Sequence, residues 1–158
     1  MTLNLGSNCI VDVSGLSLPE GLKELSLSSN QIVDVSELCP KKGMVKLNLG
    51  NNYIVDVSTL TLPEGLEELT LSSNKIVNVS GLTKRLPTSL KVLHLGDNRI
   101  SNVAGITSGS CPSLEKLILT LNPIKTRAEV DRLRVELARE WPRLSCQVLA
   151  DTAVEDLV

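Results

Sequence analysis

The apolar positions of this chain recur on a beat too long for any single helix or strand. Three segments show it plainly: LKELSLSSNQI from Leu22, LEELTLSSNKI from Leu66 and LKVLHLGDNRI from Leu90. The common Asn falls at Asn8, Asn30, Asn52, Asn74, Asn98 and Asn122, at intervals of 22, 22, 22, 24 and 24 residues. A Leu-x-Leu pair precedes each one, and Ile follows two residues later, from Ile10 to Ile124. Val13, Val35, Val57, Val79 and Val103 come three residues after the Ile, and Leu or Ile three after that. Leu-x-Leu has the period of two of a strand with one buried face. The Ile-x-x-Val-x-x-Leu spacing carries the chain round an arc and back to the same core. One such unit cannot bury its own apolar face, whereas a stack buries a continuous column. The recurring Asn fits a buried amide that bonds backbone groups at the turn leaving each strand.

The pattern divides the chain into residues 1–124, six repeats with the first truncated, and 125–158, a segment of different character. The first leucine of the motif would precede Met1, so the chain is expected to begin inside a strand. An uncovered edge strand invites pairing, either with a second copy or with a longer parent chain. At the other end Thr126 and Glu129 form a capping box that opens a helix to about Glu140, with Val130, Leu133, Leu137 and Trp141 along one stripe. Pro142 ends it, and Leu144 to Leu149 can add an extended segment. This helix reads as a shield for the last repeat's core, or alternatively as a partner-binding helix.

These repeats resemble the leucine-rich-repeat family, specifically its 22-residue intracellular class. That class includes a regulatory subunit of protein phosphatase 1, a spliceosomal leucine-rich protein and an axonemal dynein light chain. The LPEGL and LPTSL turns are also similar to those of bacterial ligase effectors, whose repeats are shorter and whose catalytic domain has no counterpart here. The resemblance implies an α/β fold: a right-handed leucine-rich-repeat solenoid with a concave parallel β-sheet and a C-terminal helical cap. It implies a non-catalytic protein–protein interaction module, an adaptor or scaffold subunit of a larger assembly. The alternative is a regulatory subunit that binds and controls an enzyme such as a protein phosphatase.

Composition narrows the chemistry. With no Phe, one Tyr and one Trp, the core must be aliphatic. Sixteen basic residues against 18 acidic ones, without a basic stripe or stacking aromatics, argue against nucleic acid. No apolar run is long enough to cross a bilayer, so no membrane partner is expected. MTLNLGSNCI lacks a secretory layout, and Cys9, Cys39, Cys111 and Cys146 form no CxxC pair. The expectation is reduced thiols in a cytoplasmic protein, in a cytoskeletal or ciliary setting, with no cofactor.

The positions between buried leucines form rows across the sheet. The central row is Asn4, Ser26, Asn48, Thr70, His94 and Ile118; beside it run Thr2, Glu24, Lys46, Glu68, Val92 and Lys116. The other flanking row is Gly6, Ser28, Gly50, Ser72, Gly96 and Thr120. Alternating signs predict a cross-strand ladder through Glu24, Lys46 and Glu68. Outward apolar groups concentrate toward the C-terminal half, at Val92, Ile118 and Leu121, with His94, Asp97 and Lys116 around them. These six, with Lys46 and Asn48, are the candidate partner-binding residues of the concave face. Ile118 and Leu121 have a second reading, packing under the C-terminal cap.

A further row, Val11, Val33, Val55 and Val77, reads either as a docking stripe or as a second short parallel sheet, the reading favoured here. The aspartates beside it read as Asx-turns rather than a calcium site, since no loop offers six oxygens. Catalysis finds little support. The single His94 has Ser72 on the neighbouring strand but one row across, the cysteines lie elsewhere, and no third group orients the imidazole. Zinc would need a second His or clustered Cys.

Overall fold

The computed structural model describes residues 1–101, 111–124, 131, 135, 137–139 and 145–147. Seven strands of three residues form one parallel sheet in chain order. They are β1 (Thr2–Asn4), β2 (Glu24–Ser26), β3 (Lys46–Asn48), β4 (Glu68–Thr70), β5 (Val92–His94), β6 (Lys116–Ile118) and β7 (Ser145–Gln147). The register advances one repeat per strand, so Leu25, Leu47, Leu69, Leu93 and Leu117 stand in line. The result is a parallel-sheet solenoid of about five turns.

Within each turn the periodic apolar residues converge on one column. Leu25, Leu27, Ile32, Val35 and Leu38 fill one layer, and Leu47, Leu49, Ile54, Val57 and Leu60 the next, all at most 1% exposed. Two tight turns bend the return arc. The Leu16, Leu38 and Leu60 amides donate to the Val13, Val35 and Val57 carbonyls three residues back. Met44, Leu66 and Leu90 donate likewise to Lys41, Pro63 and Pro87 just before the next strand. The three-residue spacing of apolar positions is thus the spacing of i to i+3 turns.

The repeat between Asn74 and Asn98 takes up its extra length in a one-turn helix, α1 (Ser80–Thr83), which buries Leu82 and Thr83. Apolar spacing does not predict α1, because a single turn is too short to show a period. Gly81 within it lies against the preceding turn: a Cβ there would stand 2.6 Å from the Ser58 Cβ.

β7 pairs with β6 where the extended segment after Leu144 is expected. Of the expected C-terminal helix, residues 131, 135 and 137–139 are helical, and Leu137 is buried as part of the core. Val130, Leu133 and Trp141 lie outside the described residues.

Candidate functional site

The repeated asparagines set the frame on which every exposed row sits. Asn74 Oδ1 accepts the Ile54 N–H of the preceding turn at 3.0 Å. Its Nδ2 donates back to Leu49 O at 3.0 Å and within its own turn to Leu71 O at 3.1 Å and Ser72 O at 3.2 Å. The same set recurs at Asn30, Asn52, Asn98 and Asn122. Each shared carbonyl takes two successive amides: Leu49 O serves Asn52 and Asn74, and Leu71 O serves Asn74 and Asn98. A continuous amide ladder therefore locks turn to turn, as the six-fold recurrence predicts. Asn8 alone in this row is exposed, and it bonds only Leu5 O and Gly6 O.

The residue before each ladder Asn is left-handed. Ser7, Ser29, Asn51, Ser73, Asp97 and Leu121 have φ between 53° and 57°. Of the candidate contact residues, Asp97 and Leu121 stand at this turn leaving the sheet and not on the strands themselves. Small polar residues tolerate that region, while a branched apolar one is strained there. The run Ser, Ser, Asn, Ser, Asp in these positions is a signal the sequence offers once the turn is known.

The strand rows fall as predicted, with Val92 opposite Lys116 and His94 opposite Ile118. Ile118 departs from the first of its two readings: at 8% exposure it is buried, as the second reading has it, and offers partners almost no apolar surface. Leu121, at 54%, is exposed at the turn that follows. Val92, His94 and Lys116 are partly exposed. Burial, and then the Lys116 ammonium, holds the His94 pKa below its ordinary value, so the ring is neutral at pH 7.

The N-terminal half of the sheet spends its polar groups on itself. Lys46 Nζ lies 3.0 Å from Glu68 Oε1, and the Thr2 hydroxyl donates to Glu24. Asn48 Oδ1 accepts the Gly50 N–H at 3.0 Å, as Asn4 does from Gly6, and the Ser26 and Ser28 hydroxyls bond each other. Lys46 and Asn48 are therefore on the face but engaged, whereas the side chains of His94 and Lys116 make no hydrogen bond or ion pair among the described residues. A second ion pair, Lys91 to Glu67 at 2.9 Å, runs one row further out and was not among the expected ladders.

On the flank after the sheet the favoured reading fails. Val11, Val33, Val55 and Val77 do not build a second sheet; the described residues show there one isolated bridge, Asp56 with Asn78. The neighbouring Ile N–H is already held by the ladder Asn, and Asp12, Asp34, Asp56 and Asn78 accept the N–H two residues on at 2.8 Å, turning the chain away. These Asx-turns are as expected, and their backbone bonds pull the three Asp carboxyls below the usual range. Among the described residues no three His, Cys, Asp or Glu groups come together as metal ligands. Cys9 and Cys39 are exposed thiols, while burial pushes the Cys111 thiol up to about 11 and its Sγ points to Leu90 O at 3.4 Å.

Comparison with known proteins agrees with this architecture. Residues 64–124 match the leucine rich repeat family model. An internalin (InlF) of Listeria monocytogenes is similar at 30% identity and a TM-score of 0.63, covering 77% of this chain and 34% of its own. A leucine-rich-repeat protein of Leptospira interrogans is similar at 27% identity and a TM-score of 0.65, covering 92% of this chain and 36% of its own. Internalin C2 of Listeria monocytogenes shares the fold at 24% identity, with a TM-score of 0.59 over 84% of this chain and 67% of its own. No curated protein matches in sequence. The chain spans about a third of the first two proteins' length. The fold is a parallel-sheet solenoid that matches those of these leucine-rich-repeat proteins, a family whose members are generally non-catalytic binding scaffolds with extended faces.

Proposed function

We propose that this chain is a cytoplasmic adaptor or scaffold module that holds a partner protein on the C-terminal half of its concave sheet. One contrast carries the reading. Polar groups from Thr2 to Glu68 are largely satisfied by one another. Val92, His94 and Lys116 combine apolar surface with directional groups lacking partners among the described residues. Binding energy concentrates where such groups desolvate together, and charges already paired at a rim contribute little. Asp97 and Leu121 border the patch from the turn, and the buried Ile118 stands beside His94 in the same row.

The test is affinity capture with the intact chain from source cells, followed by titration of the recovered partner. Val92→Asp with His94→Ala and Lys116→Glu should weaken binding by well over the roughly 1 kcal/mol of a peripheral contact. Ser26→Ala with Asn48→Ala should change it little. Loss of binding in the second set alone would place the site on the other half and reject the proposal. Capture of an enzyme whose turnover changes on binding would favour a regulatory subunit over a scaffold.

A further inference from the structure

We propose that the valine flank is a second docking surface, whose occupant is an amphipathic helix of a partner protein with Lys or Arg along one margin. Val11, Val33, Val55 and Val77 are 48–57% exposed and stand on four successive turns, an apolar stripe on the order of a few hundred Å². No described strand covers it. Solenoid burial alone does not require valine here, because the adjacent Ile and the Val two residues later already fill the core.

The margins of the stripe carry the specificity. Asp12, Asp34 and Asp56 run along one side as ionised carboxylates, and the Asp34 group feels the like charge of both neighbours. A row of equal charges one turn apart is relieved by a cation laid across it. The same row repels anionic membranes and nucleic acid. The opposite margin carries Tyr53 with the Lys75 ammonium 4.5 Å from its ring centroid, and then Arg99. A partner with basic residues on one edge and neutral or acidic ones on the other is complementary to both sides.

Spacing selects a helix. Backbone bonds of 2.9 Å from Gln31, Tyr53 and Lys75 to Ile10, Ile32 and Ile54 hold these turns one strand spacing apart, so four valines span roughly 14 Å. Residues i, i+4, i+7 and i+11 of a helix span roughly 16 Å and stay in step with them. Alternate residues of an extended chain would span roughly 20 Å and fall a full row out.

The probe is a synthetic amphipathic helical peptide with Leu at those positions and Lys along one edge, against its counterpart with Glu in place of Lys, read by fluorescence anisotropy on the intact chain. The Lys peptide should bind roughly tenfold tighter, with an affinity that falls as salt rises. Asp12→Asn, Asp34→Asn and Asp56→Asn together should erase that advantage and its salt dependence. The turn survives this change, because Asn78 already makes the same 2.8 Å bond to the Ser80 N–H. Val33→Thr with Val55→Thr, isosteric and at exposed positions, should also cost roughly tenfold, while Val92→Asp with His94→Ala should leave the peptide bound. Equal binding of the two peptides, indifference to the Asn or Thr changes, or displacement by the Val92 and His94 changes would each overturn the proposal.

Discussion

Replacing Asn74 by Ala tests whether the amide ladder holds the turns together. The side chain is buried and makes four bonds. Its loss does not strand the carbonyls. Leu49 O keeps Asn52, Leu71 O keeps Asn98, and Ser72 O keeps the Asn51 N–H. The Ile54 N–H, fully buried, loses its acceptor. An orphaned buried donor costs about 1–3 kcal/mol, and each forfeited bond a net of roughly 0.5–1.5 kcal/mol. Some relaxation offsets the sum, leaving an expected loss of about 3–5 kcal/mol, or roughly 6–20 °C in Tm for a domain this size. Asn8→Ala is the internal control: exposed and bonded within its own turn to Leu5 O and Gly6 O, it should cost under about 1 kcal/mol. Urea melts of both variants measure the difference. If Asn74→Ala costs no more than Asn8→Ala, the ladder is an accompaniment of the fold and not a support for it.

The single His94 makes its titration unambiguous by NMR, and it should titrate below 6.5. Lys116→Gln should raise the value; a wild-type pKa at or above 6.5, or no response to the change, refutes the assigned cause. Because the folded pKa is depressed, its contribution is fully present above the unfolded value and is lost as pH falls through the folded one. Leu121→Asn should raise stability by about 0.5–1 kcal/mol, since Asn accepts a φ of 56° more readily and the Leu is largely exposed. Ser73→Val, which places a β-branched residue at the equivalent turn, should lower it by about 1–3 kcal/mol, and neutrality of both in thermal melts would show these turns unstrained.

The frame was legible because it is periodic. Leu-x-Leu, the Asn and the Ile-x-x-Val-x-x-Leu run each repeat in register, and a requirement imposed on every turn leaves its mark in every turn. The Asx-turns followed from the same recurrence. What escaped was either single or conformational. The helix at Ser80 occurs once, in a repeat of altered length. The left-handed φ of the turn residues from Ser7 to Leu121 leaves no mark in the apolar periodicity. Ile118 shares its row with exposed residues, and alternation alone gives it their exposure. The valine flank misled for another reason. Val favours strands, but the Ile N–H it would need beside it is bonded to the ladder Asn.

A longer period of two repeats explains why the two halves of the sheet differ. Asn-x-Gly in the first and third turns alternates with Ser-x-Ser and Thr-x-Ser in the second and fourth. The alternation is steric. Asn4 and Asn48 fold back onto the glycine N–H, and a Cβ at Gly6 or Gly50 would lie 3.0–3.2 Å from that Asn oxygen and 3.1–3.2 Å from the next turn's Ser hydroxyl. Glycine and Asn thus require each other, and the Ser of the neighbouring turn fills the space between. In the fifth turn Gly96 remains, with Thr120 filling the space beside it, but His94 stands where the folded-back Asn belongs. In the sixth, Ile118 takes the place of Ser or Thr. The self-satisfying pattern stops at the turns that carry Val92, His94 and Lys116. A face selected only to be a quiet outer surface would have had no reason to break a rule it had kept for four turns.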